Sequence, residues 1–555
     1  RKAIELNPDY AMAHSNLGSI LKDLGKSEEA FNSYLKSIKI NPKLSNTYPL
    51  ITRLLRDSDL SQLNKSNLRK ILNLLLERND VPHKELARVF NFVYSNALII
   101  NLENIDSDFS KLGLLINDKV IINALKKIIF CDVKLEEILT KVRRNICQRI
   151  AQNIETITYS ELQFIIALGE QCFLNEYVYL STEEENIFVD KIIKKCRDNK
   201  ASETNLAILS CYYPLYKLLD QIPSLKSFIS SNQSFKELIE LQIKEPLKEI
   251  ELSQSIKKLG AINDYVSQKV KSQYEENPYP RWRYGNHSES QKLSINQAIN
   301  NDINPSSINH NIGNIQLEVL VAGCGTGNQI LEAHRFKNAQ ITAIDLSLSS
   351  LSYAQRKINE LGIDNVELIQ MDILEISLLK KKFDLILCSG VLHHMNNPSK
   401  GLRALLSSLK DNGFLKLGLY SELARQDIVN ARNYISNKKL QTNVDNIRNF
   451  RQNIISGELS ELKSFKQIGD FYSLSEFRDL CFHSKEHRFT INQLKENLNS
   501  NELEFLGFFL PTPVKSLYHQ YFPEDRNQTN LQNWARFEEK HPNTFREMYQ
   551  FWVSK

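Results

Sequence analysis

The sequence predicts an α + α/β chain: helical repeats, a helical domain, then a doubly wound, mostly parallel sheet. Three observations lead there. Glycine and proline are scarce, 18 and 15 in 555 residues, roughly half of ordinary usage, which leaves too few turns for a many-stranded sandwich or barrel. The glycines are also uneven: only Gly113 and Gly169 fall between residues 26 and 259, while nine of the 18 lie between Gly313 and Gly418. From Glu318 onward, short apolar runs alternate with segments of helical spacing, the pattern of a sheet crossed by helices.

The first 57 residues form a repeat. Residues 3–8 (Ala-Ile-Glu-Leu-Asn-Pro) return as residues 37–42 (Ser-Ile-Lys-Ile-Asn-Pro), an offset of 34, the period of tetratricopeptide repeats. Leu17, Gly18, Leu21, Ala30 and Tyr34 stand where that repeat places its small and apolar packing residues. Pro42 is expected to start the next helix, and a third unit opens near Tyr48, Ile51 and Leu55. Fewer than three full repeats are not expected to stand alone, so the array is expected to continue upstream. Two uses are open, a concave surface that captures a protein or peptide, or a spacer.

Residues 58–250 read as a helical linker domain without a chemical motif. Leu68, Ile71, Leu72 and Leu75 follow i, i+3, i+4, i+7 spacing, as do Leu86, Val89, Phe90 and Val93. Leu135, Ile138, Leu139, Val142 and Ile146 repeat it, with Lys and Glu on the opposite faces.

The remainder, 251–555, is expected to be one catalytic domain with a lid (about 270–285), a core (about 313–420) and a substrate-side insertion (about 421–500). The runs 318–322, 340–344, 366–370, 383–388 and 413–419 read as buried parallel strands, and 348–361 as a helix between them. In such sheets ligands sit at the carboxyl ends of the strands. The first run leads straight into Gly323-Cys324-Gly325-Thr326-Gly327, a turn that lets backbone N–H groups approach a ligand. A dinucleotide fingerprint would need glycine at 328, where Asn stands, which disfavours a nicotinamide-dependent oxidoreductase.

This spacing resembles the first motif of class I S-adenosylmethionine-dependent methyltransferases, which have a Rossmann-like sheet. The resemblance implies S-adenosylmethionine as cofactor, held by Gly323, Cys324, Gly325, Thr326 and Gly327. Asp345, at the end of the second strand, would take the ribose hydroxyls, and Leu346 beside it would also contact the cofactor. Asp372 and Ile373, after the third, would take the adenine, and Ser389 ends the fourth. The acidic residue often found two places before the first glycine is Val321 here. Val321 is the only support for the alternative of an interaction scaffold with an inactive domain.

Upstream, Gln273–Trp282 carries Pro278 and Pro280 and reads as an ordered aromatic loop. It resembles the lid of a group of bacterial proteins that join tetratricopeptide repeats to a methyltransferase domain, a likeness that extends to Met548–Trp552. Tyr274 and Asn277 are candidates to cover cofactor or orient substrate, Tyr279 and Trp282 to anchor the loop. In the insertion, Arg425, Arg432, Tyr434 and Phe482–Phe489 are candidates to shape the substrate pocket. His483 and His487 have helical ligand spacing, but the segment reads as partly extended, and no metal is expected. His393 and His394, just past the fourth strand, are the catalytic candidates. One could act as base for a hydroxyl or amine acceptor, or both could cap the strand end. Thr490 with Gln493 is expected to cap a helix through Leu498, and 503–510 reads as a last strand.

The remaining composition sets limits. Net charge is only +5 on 135 charged residues, so no strong field draws nucleic acid or acidic membranes. No run reaches the ~18 apolar residues of a membrane span. Eight cysteines without a CxxC pair imply neither zinc nor a disulfide framework, and a cytoplasmic location is expected. The chain opens on Arg1 rather than Met, so any targeting signal is expected to lie outside it.

Overall fold

The computed structural model describes residues 2–102, 109–154, 156–198, 201–285, 292–310 and 316–555; Gly313 lies outside them. Residues cluster into two compact units. The first comprises Arg1–Lys248, Arg283–Asn286 and Lys439–Leu480, and the second Glu249–Trp282, His287–Lys438 and Cys481–Lys555.

The first unit is helical. Helices Ala11–Asp23, Ser27–Ile40 and Thr47–Asp57 form the repeat. Gly18 lets the first two approach: a Cβ there would stand 2.6 Å from the Tyr34 ring. Pro42 does not start the third helix. Residues 41–46 form a turn in which the Asn41 side chain accepts from the Lys43 N–H (3.0 Å), and the helix begins at Thr47. Leu68, Ile71, Leu72 and Leu75 line the buried face of Lys65–Glu77. The apolar stripe from Leu135 to Ile146 is buried on Val133–Gln152. Lys439–Leu480 joins this unit through Arg451, whose guanidinium forms a two-armed pair with Glu136 (2.6 and 2.5 Å). Both side chains are buried, so each charge needs the other: losing one partner of such a pair costs about 3–5 kcal/mol.

The second unit holds the sheet. Among the described residues its strands are β1 (Lys257–Lys258), β2 (Leu317–Ala322), β3 (Ala339–Asp345), β4 (Val366–Gln370), β5 (Phe383–Ser389), β6 (Leu409–Leu419), β7 (Glu504–Phe508) and β8 (Tyr549–Ser554). Their order is β1-β4-β3-β2-β5-β6-β8-β7. β1 to β6 pair in parallel, and β8 runs antiparallel to both β6 and β7. The order reverses at β2, with β3 on one side and β5 on the other, which opens a crevice at their carboxyl ends.

Strand alternation divides the core into two layers. Leu320, Ala322, Ile344 and Ile386 face one layer, and Val319, Val321, Ile341 and Leu385 the other. Each such side chain contributes about 1.5–3 kcal/mol by leaving water. The five expected parallel strands coincide with β2 to β6, with β6 starting earlier, at Leu409. No helix among the described residues is long and apolar enough to cross a membrane.

Candidate active site

β2 ends in three glycines with positive φ: Gly323 (+73°), Gly325 (+51°) and Gly327 (+100°). Other residues rarely adopt this backbone, and the surroundings add a second constraint. A Cβ on Gly323 would lie 2.4 Å from Val391, and one on Gly325 3.0 Å from the Tyr279 carbonyl oxygen. The N–H groups of Gly323 and Cys324 donate to the Ile344 carbonyl (2.8 and 3.0 Å), tying the loop to β3. Helix Asn328–His334 begins immediately after the loop.

Asp345 joins this loop to the next helix. Its Oδ2 accepts from the Gly325 N–H (2.8 Å) and its Oδ1 from the Ser347 N–H (2.9 Å). Burial pushes its carboxyl above the usual range, and the two N–H groups pull it back. A carboxylate has about four acceptor positions, so two N–H bonds leave room for a pair of hydroxyls. The Leu346 carbonyl accepts from the Gln370 amide (2.8 Å). Asp372 is buried and accepts from the Leu374 N–H (3.0 Å), and Ile373 packs in the apolar layer. Ser389 is bracketed by Gln329, which donates to its carbonyl (2.8 Å) and accepts from its N–H (3.1 Å).

The lid segment closes on the same loop. Helix Tyr265–Glu276 extends further than the sequence reading, which placed Gln273–Trp282 in a loop throughout. Proline disfavours helix for itself and the residue before it, so Pro278 acts only from Asn277 onward. Thr326 Oγ1 donates to the Pro280 carbonyl, the Trp282 indole donates to the Thr326 carbonyl (3.0 Å), and the Tyr353 hydroxyl donates to the Trp282 carbonyl. Tyr274 approaches His483, with ring centroids 6.0 Å apart.

Sequence reasoning missed Glu275. Its carboxylate accepts from the N–H groups of Leu348 (2.9 Å) and Ser349 (3.0 Å) and from the Ser349 hydroxyl (2.8 Å). The lid is thereby fastened to the start of helix Leu348–Leu361, just beyond Asp345. A glutamate among glutamates carries no local signal.

Past β5 the structure gathers His393, His394 and His483 into one buried cluster. His394 stacks on His483 (3.6 Å, 26°) and stands edge-on to His393 (4.3 Å, 75°). Nδ1 of His394 and Nδ1 of His483 each lie 2.8 Å from the Lys485 carbonyl. His393 is fully buried, and neither ring nitrogen has a hydrogen-bond partner among the described residues. Burial, reinforced by neighbouring His394 and Arg425, holds His393 well below the usual histidine range, and burial brings His394 to about 4. Both are therefore neutral at pH 7. His487 lies outside any helix, and its N–H donates to the His393 carbonyl (2.7 Å).

Tyr420, which directly follows β6, was also missed. It stacks on His393 (3.7 Å, 23°), and the Arg425 guanidinium lies 3.6 Å from its ring centre. Its place at a strand's carboxyl end was the available signal. Arg425 is paired with buried Glu486 (2.9 Å), and Arg432 donates to the His483 carbonyl (2.8 Å). Cys324 and Cys388 are buried thiols, the latter pushed up to about 12 by burial. Neither has thiolate character for nucleophilic work.

The residues present fit a ligand with a vicinal diol and a small polar tail. Bare backbone at Gly323, Gly325 and Gly327 lets Val391, the Tyr279 carbonyl and Ala354 pack against the loop, where a Cβ would stand 2.4, 3.0 and 3.2 Å from them, and Asp345 keeps acceptor positions beside it. Residues 315–467 match the family model described as a methyltransferase domain, and residues 1–32 that of a tetratricopeptide repeat. An uncharacterised protein of Synechococcus sp. is 32% identical over 203 residues, 34% of this chain and 48% of its own length. The chain thus spans about half of that relative. A malonyl-[acyl-carrier protein] O-methyltransferase of Priestia megaterium is 26% identical over 227 residues, 39% of this chain and 72% of its own. Among solved structures, PKMT2 from Rickettsia typhi in complex with AdoHcy has a TM-score of 0.37 at 19% identity, covering 49% of this chain and 54% of its own.

Proposed function

We propose, from the premise that this chain carries a class I S-adenosylmethionine-dependent methyltransferase domain behind a tetratricopeptide repeat, that it transfers a methyl group to a hydroxyl or amine acceptor. The observation that carries the reading is the glycine loop at the end of β2, with three left-handed glycines and Asp345 bonded to its middle.

Gly323–Gly327 would seat the amino-acid end of the cofactor, Asp345 with Leu346 the ribose, Asp372 with Ile373 the adenine, and Ser389 the far wall. Bound there, the cofactor supplies an already activated methyl group. The protein's part is then to align the acceptor, exclude water and remove a proton. Tyr279 and Trp282 would hold the lid on the loop, and Tyr274, which approaches His483, and Asn277 would cover the cofactor or orient the acceptor.

His393 is the proposed base. Neither of its buried ring nitrogens has a hydrogen-bond partner among the described residues, it is neutral at pH 7, and it follows β5, which pairs with β2. His394 is bonded at Lys485 and supports the cluster rather than receiving a proton. The relative from Priestia megaterium, by its name an O-methyltransferase, supports an oxygen acceptor. The repeat supports a protein or peptide partner that brings the acceptor. An inactive scaffold rests only on Val321, which packs in an apolar layer of the core.

Calorimetric titration with S-adenosylmethionine, S-adenosylhomocysteine and NAD tests the cofactor reading. The two sulfur compounds bind the wild type and NAD does not. Asp345→Ala loses about 3–6 kcal/mol if two charge-assisted hydrogen bonds go. A folded wild type that binds neither sulfur compound overturns the proposal. Transfer of labelled methyl into a cell lysate then separates protein from small-molecule acceptors, and His393→Gln is expected to lower it at least about 100-fold.

A further inference from the structure

Three flat groups from two strand ends form a layered stack in the second unit. His393 follows β5, Tyr420 follows β6, and Arg425 stands five residues later. The His393 ring centre is 3.7 Å from that of Tyr420, and the Arg425 guanidinium carbon is 3.6 Å from it. Two groups that close to the centre of one ring must occupy its opposite faces, so Tyr420 is the middle layer.

The outer layer is pinned. Arg425 and Glu486 are both buried, with Nη2–Oε2 2.9 Å and Nε–Oε1 3.4 Å. A buried two-armed pair fixes the plane of the guanidinium, which lysine, a point charge, cannot do. The middle layer is pinned as well: the Phe489 N–H donates to the Tyr420 carbonyl (2.9 Å), on the segment that carries Glu486. The inner layer, His393, has no hydrogen bond to hold its ring. Stacking contributes about 0.5–1.5 kcal/mol per aromatic pair and is what orients it.

We propose that Arg425 is a positioning residue: through Tyr420 it holds the plane of the His393 imidazole, so that a ring nitrogen with no hydrogen-bond partner of its own keeps a constant direction. This rests on the reading that His393 takes the acceptor's proton. In that step the acceptor atom's lone pair would form the new bond to the methyl carbon as the carbon–sulfur bond breaks and its electron pair goes to sulfur, while the X–H electron pair stays on the acceptor atom and the proton passes to the ring nitrogen. The groups facing His393 are His394 on its own turn, Tyr420 and Arg425 after β6, and His483, Glu486 and His487 on the segment 483–490. Arg425 also opposes a positive charge on His393, so a variant that removes the charge must be compared with one that keeps it.

The test uses the full chain labelled with 13C-histidine, the His393 ring signal being identified by its loss in His393→Gln. The wild type shows one ring signal free of microsecond–millisecond exchange. Arg425→Lys keeps the charge, loses the plane and introduces exchange. Arg425→Gln introduces exchange and raises the pH at which His393 takes a proton. Tyr420→Phe keeps the stack and the sharp signal; Tyr420→Leu loses both. Labelled transfer into lysate falls about 10- to 100-fold in Arg425→Lys, the scale of a misplaced reacting group, and is restored in Tyr420→Phe relative to Tyr420→Leu. Unchanged ring exchange in both Arg425→Lys and Tyr420→Leu overturns the proposal, whatever their activity. Full transfer by His393→Gln instead overturns the proton-acceptor reading, while the ring measurements still judge the stack.

Discussion

Gly323 has two separate reasons to be glycine, and they predict different readouts. A side chain at φ +73° is strained by about 1–3 kcal/mol, and its Cβ would stand 2.4 Å from Val391. Gly323→Ala is therefore expected to push Val391 or the loop out of place. Calorimetry should show the affinity for S-adenosylhomocysteine falling at least about tenfold, on the scale of 1.4 kcal/mol per decade. His394 makes a prediction about acid. Its pKa is about 4 in the folded chain against an ordinary 6.5. Above about 6.5 neither state binds the proton, and no stability is at stake. As pH falls from about 6.5 towards about 4, the unfolded chain takes the proton first and stability drains away. By pH 4 the loss reaches about 3 kcal/mol for this residue. His394→Gln should flatten that part of the profile in denaturant titrations run from pH 7 to pH 4.

At the scale of elements, the lid and the repeat can be tested separately. Glu275 caps helix Leu348–Leu361 from the lid side, accepting from two backbone N–H groups and a hydroxyl. Glu275→Gln keeps the shape but gives up the charge at a helix N-terminus and one set of acceptors. It should cost about 1–2 kcal/mol and expose Gln273–Trp282 to limited proteolysis. Protection equal to the wild type would mean that the bonds of Trp282 and Thr326 alone hold the lid. In the repeat, Gly18→Ala drives a methyl to 2.6 Å from the Tyr34 ring, an overpacking that costs about 1–3 kcal/mol. The same elements show what a sequence discloses. β2 to β6 were legible because fully buried strands are written as apolar runs of strand length. The capping box of Thr490 and Gln493 was legible because it is a local pattern, and both of its bonds form. Helix Tyr265–Glu276 was cut short in the reading because two prolines were credited with more reach than their sterics have. Glu275 and Glu486 gave no comparable signal, since nothing within a few residues marks which acid caps a distant helix or meets a distant arginine, and Tyr420 was marked only by its place at the carboxyl end of β6.

At the scale of the molecule, the three tryptophans, Trp282, Trp534 and Trp552, all lie in the second unit. Their fluorescence therefore follows the sheet, whereas far-ultraviolet dichroism follows the helices of both units. Gly18→Ala should shift the dichroism transition and leave the tryptophan transition in place; a coincident shift would show that the two unfold as one. Acidification should act first on the tryptophan transition, because the cluster of His393, His394 and His483 belongs to that unit. Both readings use the full chain.

What the sequence determined by itself was local in origin: a 34-residue repeat, strands of buried apolar residues, three glycines at one strand end and an aspartate at the next. Each depends on backbone geometry or on patterning within a few residues, so linear order is enough to display it. The tertiary structure alone decided what lies at long separation. It carried Lys439–Leu480 to the helical unit through Arg451 and Glu136, and it brought residues near 275, 345, 393, 420 and 486 into one unit. Those contacts follow from strand order and from the need of buried charges and rings for partners, which fold-level packing supplies and no short window of sequence contains.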